Sequence, residues 1–164
     1  MPKPKLHPKK VMVTVWWCRK RVIRYEFMKT GETIDAEKYV LIMSRFHEKL
    51  TEMWPALVNR KGPLLLHDNA RPHISKTTIQ KLNQLGIEVL PHPPYTPDLA
   101  PTDYHLFKHL ASFLNNKMYQ NQTEVKNDFQ KFIASRDPDF YSRGIDSLLE
   151  RWSKCINSYG KYFD

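Results

Sequence analysis

Cysteine is nearly absent from this 164-residue chain, and acidic charge is missing from its first 25 residues. The two cysteines, Cys18 and Cys155, have neither the paired spacing of a zinc site nor the density of a disulfide framework, so both read as packing residues in a reducing compartment. No uninterrupted apolar run reaches the roughly 18 residues a membrane helix requires, and the start has no apolar signal core. The sequence therefore predicts a soluble intracellular protein with no membrane partner. Asn121-Gln122-Thr123 matches a glycosylation acceptor only formally. Internal repeats, low-complexity tracts and interdomain linkers are lacking too, which leaves one domain, 1–164, as the expected organisation.

What is present is positive charge. Lys and Arg outnumber Asp and Glu by 26 to 17, a net charge of +9, and eight basic side chains fall before the first acidic residue, Glu26. A phosphate-bearing partner, DNA above all, is the natural inference, with Lys9, Lys10, Arg19, Lys20 and Arg21 as contact candidates. PKPKLHPKK also has the composition of a nuclear address, and the nucleus is the expected location.

The apolar pattern predicts the order strand, strand, helix, strand, helix, strand, then helices alone. VMVTVWW (11 to 17) is apolar on both alternating sets, as in a strand covered on both faces. RVIRYEF (21 to 27) sets Ile23, Tyr25 and Phe27 opposite Val22, Arg24 and Glu26, so it reads as the second arm of a hairpin with one wetter face. A helix is expected from a capping Thr33, with a stripe through Tyr39, Met43, Phe46, Leu50 and Trp54. PLLLH (63 to 67) reads as a short buried strand, Pro72 to Leu85 as a helix and IEVLP (87 to 91) as a strand. Three helices follow: Pro101 to about Asn115, Thr123 to about Ser135, and a last one with Phe140, Ile145, Leu148, Leu149, Trp152 and Ile156 on its apolar face. This is an α/β domain whose first strand pair is antiparallel and whose later strands run parallel through helical crossovers.

Asp68 stands just past the PLLLH strand, where active groups gather in such sheets. Asp103 falls in the first turn of the helix that opens near Pro101, where the helix dipole favours a carboxylate. Thirty-four residues lie between them. Two carboxylates suit hard cations such as Mg²⁺ or Mn²⁺, and an ion pair about 3.5–4 Å apart can activate the attacking oxygen and stabilise the leaving one in phosphodiester chemistry.

HDNARPH, followed at this distance by HPPYTPDLAPTDYHLF, resembles the catalytic domain of mariner-family transposases of the Tc1/mariner superfamily, including the transposase-derived half of the SET-domain/mariner fusion methyltransferase. PKPKLHPKKVMVTVWW, GETIDAEKY, ALVNRKGPLLLHDNARPH, LNQLGIEVLPHPPY and RWSKCINSYGKYFD extend the likeness over the whole chain. The resemblance implies an RNase H-like mixed sheet flanked by helices, metal-dependent DNA strand cleavage and transfer, and a metal triad of three aspartates. Asp68 matches the second of these and Asp103 the third. The family's first aspartate lies on a strand before the segment matching PKPKLHPKK, so the reading expects a truncated domain lacking that first, central strand, with an incomplete two-ion site and impaired catalysis. The strand's neighbours would then have unpaired edges or pair with each other. The helix-turn-helix domain of the family is also expected to be missing, leaving DNA affinity that is salt-sensitive and largely sequence-independent. A homodimer is a further expected assembly. Two other readings stand beside this one: a domesticated non-catalytic DNA-binding or dimerisation module, and an unstable relic product.

Asn69 and Arg71 are of types that more often shape a turn than touch substrate, and their place in the motif adds a modest supporting role, for Arg71 a phosphate contact because its guanidinium fork fits phosphate oxygens. Of the aromatics that could stack on unpaired bases, Trp16 and Trp17 are read as core and Tyr95, in the proline loop, as the DNA contact ahead of Tyr104. His67, His73, His92, His105 and His109 invite a zinc site, but HExxH lacks its Glu, and hydrogen-bonding or surface roles are favoured. Asp98 reads as a loop or capping residue.

Overall fold

The computed structural model describes residues 10–68, 70–91 and 97–163, without the side chains of Pro97 and residues 155–163. Lys9, Asn69, His92 and Tyr95 lie outside the described residues. The elements are β1 (Val13–Trp17), β2 (Val22–Phe27), α1 (Ala36–Met53), α2 (Pro55–Arg60), β3 (Leu64–Leu65), α3 (Arg71–Ile74), α4 (Lys76–Leu85), β4 (Glu88–Val89), a 3₁₀ turn (Pro97–Leu99), a π-helical turn (Thr102–Phe107), α5 (Lys108–Leu114), α6 (Gln122–Ser135) and α7 (Pro138–Phe163). None of the described helices is long and apolar enough to cross a membrane.

The order matches expectation except for the short helix α2, which restarts at Pro55, and the pairing is as expected: β1 with β2 antiparallel, β3 with β4 parallel across the α3–α4 crossover. The two pairs form separate two-stranded sheets. Among the described residues no strand stands between the hairpin and β3, so of the two arrangements expected there, the unpaired edges are the one observed. β3 is also shorter and more open than PLLLH suggests: Leu65 packs against the α1 core, whereas Leu64, on the opposite face, is 60% exposed.

β1 and β2 carry apolar groups on both faces and separate two cores. On one side Trp16 and Ile23 pack with Tyr39, Ile42, Met43, Phe46 and Leu50 of α1 and Leu82 of α4; on the other Val22 packs with Leu106, Leu110, Phe129, Phe132, Phe140 and Tyr141. Each large side chain fully buried here contributes roughly 1.5–3 kcal/mol. The strict alternation expected for β2 fails at one point. Trp16 pairs with Arg24 but Trp17 with Val22, so Ile23 is an extra residue in β2. That bulge exchanges the faces of its neighbours: Ile23 joins the α1 side, and Val22 joins Tyr25 and Phe27 on the other. The face expected to be wetter is filled by charge instead. Glu26, its side chain 15% exposed, is ion-paired with Arg24, Lys38 and Arg45, two of them from α1.

Helix ends obey local chemistry, with some shifts. Asp35 caps α1, accepting the Lys38 N–H at 2.7 Å, in place of the expected Thr33. Ser75 takes the Thr78 N–H and starts α4 anew, so the helix expected over 72–85 breaks in two. Gly86 closes it at φ 69°, left-handed as a helix end favours. Asn121 is occupied as the cap of α6, accepting the Glu124 N–H at 3.0 Å. In α7 the buried face runs through Phe140, Tyr141 and Gly144, whereas Leu149, expected on it, is 76% exposed because it lies a quarter turn beyond Leu148.

Candidate metal and nucleic-acid site

Asp68 lies three residues beyond β3 with its side chain 60% exposed. Its Oδ1 accepts the Ala70 N–H at 3.0 Å and lies 2.6 Å from His73 Nδ1. The His73 ring lies face to face with that of His67, centroids 4.9 Å apart at 5°, and 4.2 Å from the ring of Tyr39. His67 Nδ1 and the Tyr39 hydroxyl are 2.7 Å apart. Tyr39 is a buried residue of α1 that leads to Trp16 at 6.0 Å, itself stacked on Phe46 at 4.4 Å. Partial burial pushes the Asp68 carboxyl up, but the Ala70 N–H and the two histidines outweigh it and hold the group below its ordinary value. Asp68 is therefore set up as an anion.

Asp103 is exposed in the first turn of the π-helical segment, its N–H donating to the Ala100 carbonyl at 2.9 Å. The adjoining Thr102 hydroxyl accepts from Trp17 Nε1 at 3.0 Å. Tyr104, on the other side, donates its hydroxyl to the Gly144 carbonyl and lies beneath the guanidinium of Arg151 at 3.8 Å. It is thus held against α7. Single-turn π segments are frequent at functional sites, and nothing in the sequence marked this one.

One strand packs toward both of the segments that carry these carboxylates. Trp16 and Trp17 point to opposite faces of β1, and the first leads through Tyr39 and the histidines to Asp68, the second through Thr102 to Asp103. These tryptophans were expected only as core. His105 and His109 are engaged in packing: His105 Nε2 is 2.6 Å from the Phe140 carbonyl, and His109 Nδ1 is 2.7 Å from the His105 carbonyl. Burial lowers the His105 pKa, which favours its neutral ring.

The basic contact candidates divide. Lys10, Lys20 and Arg21 are exposed, Lys20 lying 5.9 Å from the Trp54 ring and Arg21 donating to the Val22 carbonyl. Arg19 instead makes a bidentate pair with Asp146 of α7, both bonds 2.7 Å, which reduces its pull on a phosphate. Arg71 is exposed at the head of α3. Asp98 lies in the 3₁₀ turn, as a loop residue should.

Among the described residues there is no group of three His, Cys, Asp or Glu able to hold a metal ion. Asp68 and Asp103 are each exposed, and carboxylate oxygens are the donor type that Mg²⁺ and Mn²⁺ prefer.

Residues 1–60 match the family described as transposase (partial DDE domain). The chain is 57% identical over 163 residues to the human (Homo sapiens) histone-lysine N-methyltransferase SETMAR, covering 99% of this chain and 24% of that protein. It is 39% identical over 163 residues to the mariner Mos1 transposase of Drosophila mauritiana, covering 99% of this chain and 47% of the relative. It thus spans about a quarter and about half of the length of these two curated relatives. The crystal structure of the Mos1 catalytic domain superimposes with a TM-score of 0.88 at 41% identity, covering 97% of this chain and 78% of that one. That domain has also been solved with raltegravir and Mn (TM-score 0.87, 41% identity, 95% and 78% covered). A Mos1 paired-end complex with the left transposon end matches at TM-score 0.87 and 39% identity, covering 100% of this chain and 48% of that one. The likeness covers nearly the whole chain and places this RNase H-like chain in the mariner transposase family, in the region of its catalytic domain.

Proposed function

We propose that residues 1–164 act as one catalytic-domain unit in which Asp68 and Asp103 are the second and third metal-binding carboxylates of a DNA strand-cleavage and transfer site. The observation that carries this reading is that consecutive tryptophans of one strand reach, Trp16 through Tyr39 and His73 and Trp17 through Thr102, the two segments that bear the solvent-facing Asp68 and Asp103. Family membership supports an ancestral activity in DNA transposition, and the Mos1 structures with Mn and with a transposon end support a divalent ion and DNA as the partners. When bound, Mg²⁺ or Mn²⁺ supplies electrostatic stabilisation of charge developing on the scissile phosphate. The residues of this chain do the holding. Asp68 is kept ionised by Ala70 and His73; Asp103 is aimed by the π-helical turn that Trp17, Gly144 and Arg151 pin in place; Arg71, Lys10, Lys20 and Arg21 offer positive charge to the DNA backbone. Asn69 and Tyr95 keep their proposed supporting and base-stacking roles, Lys9 stays in the basic set, and Arg19 is its weaker member because it is paired with Asp146. The nucleus is the corresponding site of action, and a paired assembly is the corresponding oligomer.

The test is Mg²⁺- or Mn²⁺-dependent nicking of supercoiled DNA by the purified chain. Activity abolished by Asp68→Ala and by Asp103→Ala supports the assignment; activity unchanged in both refutes it. A second reading, a DNA-binding module without catalysis, draws on the lack of a three-donor cluster among the described residues. It predicts no nicking, together with DNA affinity that falls as log K against log salt with a slope of about −0.9 per phosphate contacted and ignores Asp68→Ala.

A further inference from the structure

We propose that His73 is a positioning residue that fixes the rotamer of Asp68 and turns one carboxylate oxygen toward an incoming divalent cation. The inference rests on the reading of Asp68 as a metal-binding group and deepens it. An exposed aspartate on a loop ordinarily turns freely about two side-chain bonds. Here both contacts among the described residues fall on the same oxygen: the Ala70 N–H at 3.0 Å and His73 Nδ1 at 2.6 Å meet Oδ1. Such a clamp leaves the direction of Oδ2 set by the carboxylate plane.

The clamp is itself anchored. His73 Nδ1 also lies 3.3 Å from the Asp68 carbonyl, so the imidazole spans the backbone and side chain of the residue it holds. Its ring is only 21% exposed, against 60% for Asp68. It is stacked on His67 at 4.9 Å and lies 4.2 Å from Tyr39, whose own ring is 5% exposed within the core of α1. A group of low mobility thereby restrains one of high exposure. Hydrogen bonds to a ligating carboxylate from the surrounding shell commonly affect metal affinity by about 10- to 100-fold. The hydrogen bond requires a proton on Nδ1, which both the Nδ1–H tautomer and the imidazolium supply.

The experiment separates the donor from the packing. His73→Phe keeps a ring against His67 and Tyr39 but removes the N–H; His73→Asn keeps an N–H near the Nδ1 position but removes the stack. Mn²⁺ affinity of the full chain is measured by the electron paramagnetic resonance signal of free Mn²⁺, with Asp68→Asn as control and thermal melts to confirm folding. We expect His73→Phe to weaken Mn²⁺ binding by about 10- to 100-fold and His73→Asn to retain it within about threefold. The reverse order, or equal affinity in all His73 variants while Asp68→Asn loses binding, overturns the positioning role and leaves the metal reading intact. Wild-type chain that binds no Mn²⁺, or whose binding survives Asp68→Asn, overturns the metal reading itself. If His73→Phe does not fold, His73→Leu provides the donor-free comparison.

Discussion

Replacing Gly144 with alanine sets two effects of opposite sign against each other. Glycine inside a helix such as α7 costs about 1 kcal/mol relative to alanine, so propensity alone makes Gly144→Ala stabilising. The packing argues otherwise. A Cβ at position 144 would lie 2.8 Å from His105 Cγ and 3.0 Å from Nε2, and nearer still to Cδ2. The ring has little room to step aside, since Nε2 is 2.6 Å from the Phe140 carbonyl and the centroid is 4.3 Å from that of Phe140 and 4.7 Å from that of His109. Forcing extra volume into such a site costs about 1–3 kcal/mol, and weakening the His105 hydrogen bond adds roughly 0.5–1.5 kcal/mol. After the propensity gain, Gly144→Ala should destabilise by roughly 1–3 kcal/mol, a fall in Tm of a few to about 10 °C for a chain of this size. Urea titration of Gly144→Ala, His105→Ala and the double variant checks the cause. With the ring gone, alanine fits and its helix propensity counts, so the double variant should be more stable than the sum of the singles by at least about 1 kcal/mol. Gly144→Ala more stable than the parent, or singles that add within about 0.5 kcal/mol, would refute the reasoning. Because Tyr104 bonds the Gly144 carbonyl, the same contact governs how closely the Asp103 segment approaches α7.

Gly62 is at φ +72°, and a Cβ there would press on the Gly86 carbonyl, 3.3 Å from its carbon and closer to its oxygen. Gly62→Ala should cost at least about 1–2 kcal/mol from the left-handed backbone alone, and hydrogen exchange should show lost protection at the Glu88 and Leu90 amides, which donate to Pro63 and Leu65. Glu26→Gln leaves Arg24, Lys38 and Arg45 facing one another without their shared anion; a loss of roughly 1–3 kcal/mol in urea unfolding is expected, moderated because Arg24 and Arg45 are about a third exposed. Asp128 is held below the ordinary aspartate value by the Tyr119 hydroxyl at 2.8 Å, and by Lys117 and Lys131. A depressed native pKa stabilises the fold above the unfolded value and is lost as pH falls through the native one, so Tyr119→Phe should raise the Asp128 midpoint in a carbon-13 NMR titration and shrink the stability that is present at neutral pH and lost on acidification.

Local pattern carried most of the element order, the hairpin and the parallel pair, because apolar periodicity and turn chemistry are properties of neighbouring residues, and it singled out Asp68 and Asp103 as candidates because HDNARPH and APTDYHLF are contiguous motifs. It misassigned Ile23 and Val22, because a bulge adds one residue without altering composition and reverses the alternation beyond it. It gave Leu64 a buried place, although only the face of β3 that carries Leu65 meets the core. The contacts that tune the candidate site were beyond it for the same reason: Trp17 meets Thr102 across 85 positions, Arg19 meets Asp146 across 127, and Gly144 owes its missing side chain to a histidine on another segment. The sequence by itself determined which segments are strands, which are helices and which carboxylates stand at their ends. Only the tertiary structure decided which faces meet, and so which side chains hold those carboxylates in place.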